Sequence, residues 1–348
     1  MGDLGPVHDH DTARHALEIA GPDSTFVLGA VSFGAHAVAL ETEQQAKEKT
    51  MANVGLVGVG NMGMGMAKNI LKSGHALSAY DIRPEPLREL QGLGAHVARS
   101  PQEVGERSDF VFVMVLNGDQ VEAVVMGERG LLAGMKPGST LICSATIMRA
   151  TLIEVADAMA EQGIHVVDSP VSGGAPGAAA GTLTMMVAAP QAVYDRSKNV
   201  LEAVGKDIYH VGEEIGMGQT VKAALAVLVG VTYAGIFETL ALGVKAGVKP
   251  ETLYEVIGTS VVGSFLFRDT TQNIMQRSFR GQSNIGTMYK DLGIARSLAR
   301  ECGVPLFTAA SACEWFQAGI SVNPDEANWA IIKILESMVG IEVKKSTQ

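Results

Sequence analysis

From residue 53 onward, short apolar runs alternate with longer segments whose apolar residues recur at helical spacing. Residues 54–58 (VGLVG) predict a strand, residues 62–73 a helix, and residues 75–80 a second strand closed by Asp81. A helix follows at 87–93, the strongest strand pattern at 109–116 (DFVFVMVL), and further strands at 139–143 (STLIC) and 165–168 (HVVD). Strands separated by helical segments require crossovers, so this half predicts an α/β fold, a doubly wound parallel sheet with helices on both faces.

After residue 211 the texture changes. Residues 218–246 contain almost no polar side chain apart from Lys222, Glu238 and a few small hydroxyls. They hold no proline and are too long for a strand, so they predict a helix buried on most sides. Helical patterns follow at 251–257, 287–302, 305–318 and 325–338, which gives an all-helical C-terminal domain. The expected organisation is an N-terminal extension at 1–50, an α/β domain at 51–212 and a helical domain at 213–340. An apolar helix of such length needs more than one neighbour to cover it, so a homodimer or homotetramer is expected.

The first fifty residues differ in pattern from the alternation that starts at residue 53: they hold a mixed polar start, one apolar patch at 25–40 and a charged run at 41–49. They read as an extension that the rest can fold without. His8, Asp9, His10 and Asp11 bring metal-binding types together, but in a solvated tail nothing holds them in a fixed geometry, and no metal is expected.

Composition narrows the function classes. With 47% apolar and 18% charged residues over 348, the chain can build large cores, which excludes a disordered protein. A net charge of −10 offers no basic footprint for nucleic acid or an anionic membrane surface. No apolar run of 18 or more lacks a polar interruption, so no membrane span is expected. Asp3, Asp9 and Asp11 stand where a secretory signal would be basic. Cys143, Cys302 and Cys313 are too scattered for a disulfide framework and fit a reducing, cytoplasmic setting. Glycine, at 40 residues, is in excess and asks where the backbone turns tightly or meets a ligand.

Gly58, Gly60 and Gly63, with Asn61 and Met62 between them, spell G-x-G-x-x-G between a predicted strand and a predicted helix. The first glycine permits the tight turn, the second admits a pyrophosphate to the backbone, and the third lets helix and strand pack closely. The diphosphate then rests on free N–H groups at a helix N-terminus, which makes the sheet Rossmann-like. Asp81 stands about 20 residues further on, where an acid accepts from the adenosine ribose hydroxyls. A carboxylate there repels a 2′-phosphate and favours NAD; Arg83 could pair with such a phosphate and keeps NADP as the other candidate.

All eight histidines lie at or before His210, and His75, His96, His165 and His210 show no acidic partner in the sequence. Lys222 stands out instead. It lies early in the apolar helix, among Val221, Ala223, Ala224 and Leu225, where it must snorkel or face a cleft. Desolvation beside an oxidised nicotinamide would lower its pKa, as a general base for an alcohol requires. Ser172, Gly173 and Gly174 follow the HVVD strand at a carboxyl end of the sheet, where backbone N–H groups can cup a carboxylate and the hydroxyl can meet a substrate oxygen. Tyr194 and Lys198 form a Tyr-x-x-x-Lys pair of short-chain dehydrogenase type, but that family's glycine loop is more widely spaced and lacks a helical domain of this size.

Four blocks together resemble the β-hydroxyacid dehydrogenases, the family of 3-hydroxyisobutyrate dehydrogenase, tartronate semialdehyde reductase and L-threonate dehydrogenase. They are GLVGVGNMGMGMAKNIL at 55–71, DSPVSGGAPGAAAGTL at 168–183, GMGQTVK at 216–222 and YKDLGIA at 289–295. The resemblance spans about 53–338 and implies a Rossmann-like domain followed by a helical one. It implies Lys222 as acid/base, Ser172 to Gly174 at the substrate, Lys290 against the cofactor, and Val115, Leu116 and Thr146 on the nicotinamide side. Family members usually carry two asparagines three and four residues after the lysine; here those positions are Leu225 and Ala226. Two donors are missing, which counts against 3-hydroxyisobutyrate itself, and VKAALAVLVG and GTSVVGSFLF look closest to the L-threonate branch. The function implied is NAD-dependent oxidation of a small hydroxy acid. An imine reductase, which commonly has another residue at the lysine, and a cofactor-binding module without turnover are the alternatives.

Overall fold

The computed structural model describes residues 51–281 and 283–346. The extension, its 25–40 patch and the His8 to Asp11 cluster lie outside the described residues.

Six strands run parallel: β1 (Asn53–Val57), β2 (Ala76–Tyr80), β3 (His96–Val97), β4 (Phe110–Val113), β5 (Thr140–Cys143) and β6 (His165–Asp168). Their order is β3-β2-β1-β4-β5-β6, so the direction of winding reverses between β1 and β4. Cofactors bind at the carboxyl ends of strands beside such a switch point. Strands β4 and β5 are almost wholly buried, as their unbroken apolar runs require of strands covered on both faces.

One face carries α1 (Asn61–Lys72) and α2 (Pro84–Gly92), which bury Met66, Ile70, Leu87 and Leu90 against Leu56 and Phe112. The other carries α3 (Pro101–Glu106), α4 (Gly118–Met126) and α5 (Arg149–Ala160), whose Val104, Val121, Val125 and Leu152 meet Val111, Val113 and Leu141.

Beyond β6 the sheet is no longer purely parallel. β7 (Val171–Ser172) and β8 (Leu183–Ala188) are antiparallel to each other, with α6 (Gly174–Ala180) between them, and β8 also meets β6 antiparallel at Asp168 and Ala188. After α7 (Gln191–Leu201), β9 (Gly205–Gly212) returns parallel to β8. The predicted strand at 109–116 shrinks to four residues, because the chain must leave the sheet after Val113 to form its carboxyl edge.

The helical half opens with α8 (Met217–Lys245), a 29-residue helix. Its Tyr233, Phe237 and Leu240 form a core with residues of α10 (Phe265–Met275), α11 (Ile285–Glu301), α12 (Phe307–Val322) and α13 (Ile332–Val339). A short helix α9 (Pro250–Thr259) precedes α10. Helix α10 was absent from the sequence pattern, although Ser264 caps it by accepting from Phe267 N. The predicted helix at 325–338 is a 3₁₀ turn at Asn328–Ile331 running into α13.

Helix α8 departs from the expectation in one respect. Rather than being buried on most sides, it exposes a stripe of Val221, Ala224, Leu228, Gly235 and Leu242, with Leu228 65% and Leu242 74% exposed. Its best window, of mean hydropathy 1.9, is long and apolar enough to cross a membrane by length and composition alone. The opposite face is committed to the helical core, and the helix carries Lys222 and Glu238.

The C-terminal segment is strapped onto this core. Arg277, at φ +56, ends α10 in a left-handed turn in which Ser278 N donates to Asn273 O and Arg277 N to Ile274 O. Its guanidinium donates to Glu336 Oε1 at 2.6 Å and Oε2 at 2.9 Å and lies 4.7 Å from the Phe279 ring centroid. Glu336 Oε1 also accepts from Val343 N at 2.7 Å.

Candidate active site

The loop from β1 to α1 has the three glycines doing three different things. Gly58 adopts φ +95, and a Cβ there would come within 2.5 Å of the Met114 carbonyl. A Cβ on Gly63 would sit 2.0 Å from the Gly58 carbonyl, so only glycine lets α1 lie so close to the strand. At Gly60 nothing approaches within 3.8 Å, and that atom is the end of the flexible Arg83 side chain. The space over Gly60 is thus free for a ligand. No side chain caps α1 and no acid stands in its first turn, where Asn61, Met62 and Gly63 lie, so the positive end of the helix is left to an incoming anion. This cradle fits a dinucleotide diphosphate.

Asp81 follows β2 with both carboxylate oxygens engaged. Oδ2 accepts from Val59 N at 2.7 Å, and Oδ1 accepts from Arg83 N at 2.9 Å and Arg83 Nε at 3.1 Å. Burial pushes the carboxyl up, but the Arg83 and Val59 hydrogen bonds together outweigh it and hold Asp81 below its ordinary range. The guanidinium expected to compete with Asp81 for the cofactor's ribose end is instead its ion-pair partner.

The carboxyl edge of the sheet supplies a wall. Val115 and Leu116 leave β4, with Leu116 N bound to Gln120 Oε1 at 2.9 Å. Beyond β5, the Thr146 carbonyl accepts from Lys290 Nζ of α11 at 2.5 Å, and the same ammonium pairs with Asp291 Oδ1 at 2.8 Å. Lys290 therefore ties the helical half to the carboxyl end of β5.

Lys222 comes to the same edge. Its Nζ donates to the Val171 carbonyl at 2.9 Å, one residue before Ser172. Burial depresses its pKa most, nearby Asp291 acts in the raising direction, and Lys290 depresses it further. Gly173, at φ +119, and Gly174, at φ +60, turn the chain from β7 into α6. One turn beyond Lys222, Leu225 is half-buried and Ala226 enters the helical core, so that turn offers no side-chain donor.

Two residues missed by the sequence reading complete the junction. Asp168, fully buried at the end of β6, accepts at Oδ2 from Gly216 N at 2.9 Å and Gln219 N at 3.1 Å. Gln219 Nε2 donates to Asp168 Oδ1 at 3.1 Å and to Ala145 O at 3.0 Å, and its Oε1 accepts from Ile147 N at 3.1 Å. Burial pushes the Asp168 carboxyl up to about 6 against the opposing hydrogen bonds. Both stand inside the blocks at 168–183 and 216–222, but their pairing was not legible there, since their partners lie 48 to 74 residues away.

Residues 53–212 match the family model for the NAD binding domain of 6-phosphogluconate dehydrogenase, and residues 216–335 match that for the NAD-binding region of NADP-dependent 3-hydroxyisobutyrate dehydrogenase. The 2-(hydroxymethyl)glutarate dehydrogenase of Eubacterium barkeri is 38% identical over 292 residues, covering 83% of this chain and 97% of that protein. The chain belongs to the β-hydroxyacid dehydrogenase family. The L-threonate dehydrogenase of Cupriavidus necator is 37% identical over 84% of this β-hydroxyacid dehydrogenase and 97% of its own length. A crystal structure of 3-hydroxyisobutyrate dehydrogenase from Salmonella typhimurium superposes with a TM-score of 0.76 at 33% identity, covering 81% of this chain and 99% of that one. As a member of the family it is an NAD(P)-dependent oxidoreductase with a Rossmann-like domain and a helical C-terminal domain.

Within this β-hydroxyacid dehydrogenase the other chemical candidates have structural employment. Tyr194 stacks on His210 with centroids 4.4 Å apart, and Lys198 is held by Asp195 at 2.6 Å. These contacts all lie on α7 and β9. His96, which lacked a visible acid in the sequence, meets Glu103 Oε1 at 3.0 Å.

Proposed function

We propose that this β-hydroxyacid dehydrogenase oxidises a small 3-hydroxy acid or sugar acid, of the L-threonate, 3-hydroxyisobutyrate or D-glycerate type, with Lys222 as general acid/base. The observation that carries the reading is a desolvated lysine amine at Val171, between the Ser172 to Gly174 turn and the Lys290–Thr146 wall. When bound, NAD(P) supplies the hydride acceptor. Lys222, in its neutral form, takes the hydroxyl proton as the carbinol C–H bond breaks, which leaves a carbonyl and an ammonium; the ammonium then returns its proton to solvent. In reduction the ammonium protonates the alkoxide oxygen. Ser172 and the N–H groups of Gly173 and Gly174 hold the substrate carboxylate and a hydroxyl, while Lys290 keeps its ammonium against the nicotinamide side.

The names of the relatives support this substrate class: L-threonate, 3-hydroxyisobutyrate and 2-(hydroxymethyl)glutarate all bear a hydroxyl on the carbon β to a carboxylate. Leu225 and Ala226 in place of hydrogen-bonding side chains favour the L-threonate type. The test is to assay purified protein with L-threonate, D-erythronate, D-glycerate, 3-hydroxyisobutyrate and 2-(hydroxymethyl)glutarate, each with NAD and with NADP, following reduced nicotinamide by absorbance. Turnover of L-threonate is expected; no turnover of any of the five would remove the reading.

Asp81 supports NAD as the preferred cofactor, since its ionised carboxylate accepts from ribose hydroxyls and repels a 2′-phosphate. The variant Asp81→Ala frees Arg83 and is expected to shift the ratio of kcat/KM values toward NADP by about tenfold or more. Undiminished NAD selectivity in that variant would contradict the ribose role.

The exposed apolar stripe of α8, with Val262 and Phe265 exposed at the start of α10, supports a homodimer or homotetramer in which a second copy covers it. Sedimentation of Leu228→Glu should show a smaller species than the unaltered protein; equal mass would move the interface elsewhere.

A further inference from the structure

We propose that Asp168 and Gln219 are positioning residues that act as a pair to set how deeply the Lys222 amine sits between helix and sheet. The inference rests on the reading of Lys222 as the proton acceptor, and its geometry is independent of substrate.

Helix α8 begins at a glycine, Gly216, in left-handed conformation, so it has no capping side chain of its own. Its cap comes from the sheet: the Asp168 carboxylate at the end of β6 binds the N–H groups of Gly216 and Gln219. Gln219 then inserts its carboxamide into the loop after β5, binding Ala145 O and Ile147 N on either side of Thr146, the residue whose carbonyl holds Lys290. A Cβ on Gly218 would come within 2.5 Å of Met186 O and 2.9 Å of the Asp168 carboxyl carbon, so the helix end lies flush on the sheet without slack.

Lys222 lies three residues after Gln219, and its acceptor Val171 lies three residues after Asp168. Two chain segments of equal length are thus tied at both ends, once by the carboxylate–carboxamide pair and once by the amine itself. At about 3.6 residues per turn, Gln219 and Lys222 lie on the same face of the helix just under one turn apart, so any rotation at the first tie moves the second. The charged groups facing this junction are Asp168 from β6, Lys290, Asp291 and Glu301 from α11, and Arg149 of α5, whose side chain packs on Gly216. Burial is the largest influence on the Lys222 amine, so loosening the joint admits water and returns it toward ordinary lysine behaviour.

The test uses the full chain, with Gln219→Met, which keeps volume and removes the hydrogen bonds, and Asp168→Asn, which keeps backbone acceptance but turns a donor toward Gln219 Nε2. Each protein is reductively ¹³C-methylated, and the Lys222 methyl signal, assigned by its loss in Lys222→Ala, is titrated by NMR; NADH binding is followed by fluorescence. The Lys222 midpoint is expected to rise by about one pH unit or more in Gln219→Met, and by less in Asp168→Asn, where the lost carboxylate charge acts in the lowering direction, with NADH affinity kept within about threefold. An unmoved midpoint in either folded variant overturns the proposal, as does failure of both to fold or loss of NADH binding alongside the shift. The two readings fail separately: wild-type turnover in Lys222→Ala would remove the acid/base role and leave the positioning result standing.

Discussion

Replacing Lys222 with alanine is expected to lower turnover by on the order of 10²- to 10⁴-fold while leaving NADH binding nearly intact. The side chain reaches the carboxyl edge of the sheet at Val171 and takes no part in the glycine cradle, so its loss removes the proposed proton acceptor and spares the diphosphate site. The pH dependence follows from the same amine. The proposed role in oxidation needs it neutral, and burial holds its pKa below the ordinary lysine value. Oxidation should therefore rise with pH and level off once Lys222 is deprotonated, at a pH below that of a free lysine. Reduction needs the ammonium and should rise in the opposite direction. Bound oxidised nicotinamide carries positive charge and moves the limb for oxidation lower still. Steady-state rates in both directions across pH, for the wild type and for Lys222→Ala, check this. A variant turning over at the wild-type rate would show that the proton leaves by another route.

The largest stability effect is expected at a position remote from the chemistry. Glu336→Ala should destabilise the protein by about 2–3 kcal/mol, because it removes a buried carboxylate that binds the Arg277 guanidinium and Val343 N, while the half-buried Arg277 keeps Glu342 as a second partner. Glu336 is 5% exposed and holds both ends of the Arg277 guanidinium as well as Val343 N. Its removal also deprives the left-handed Arg277 turn of its compensation, since glycine is the usual occupant of that conformation. A loss of that size is a large share of the roughly 5–15 kcal/mol typical of a folded domain. Denaturant midpoints of Glu336→Ala and Glu336→Gln measure it; the amide keeps one acceptor and should lose less. Identical midpoints for wild type and alanine variant would show that the ion pair does not hold the C-terminal segment.

The glycine loop and the parallel strands were legible because each depends on neighbours in the chain. Gly58, Gly60 and Gly63 answer to a turn, an open approach and a close crossing within six residues, and FVFV and TLIC announce their burial by lacking any charged residue. The antiparallel edge was not legible. β7 is two residues long, and GKDIYHVG mixes charges with apolar residues because β9 lies at the rim. Lys222 was conspicuous as a cation in an apolar helix, whereas Asp168 sat unremarked at the head of a motif read for its serine and glycines.

The amino-acid sequence by itself determined the alternation that winds the sheet, the glycine cradle, the long apolar helix and the lysine embedded in it. Those features are written in residues a few positions apart, where backbone sterics and side-chain periodicity act directly. Only the tertiary structure decided that Arg83 pairs with Asp81, that one face of α8 stays uncovered by the other described residues, and that Asp168 and Gln219 cap and lock the helix beneath Lys222. The physical reason is desolvation. A buried carboxylate, carboxamide or amine takes whichever partners remain once water is excluded, and here those partners come from strands and loops dozens of residues away.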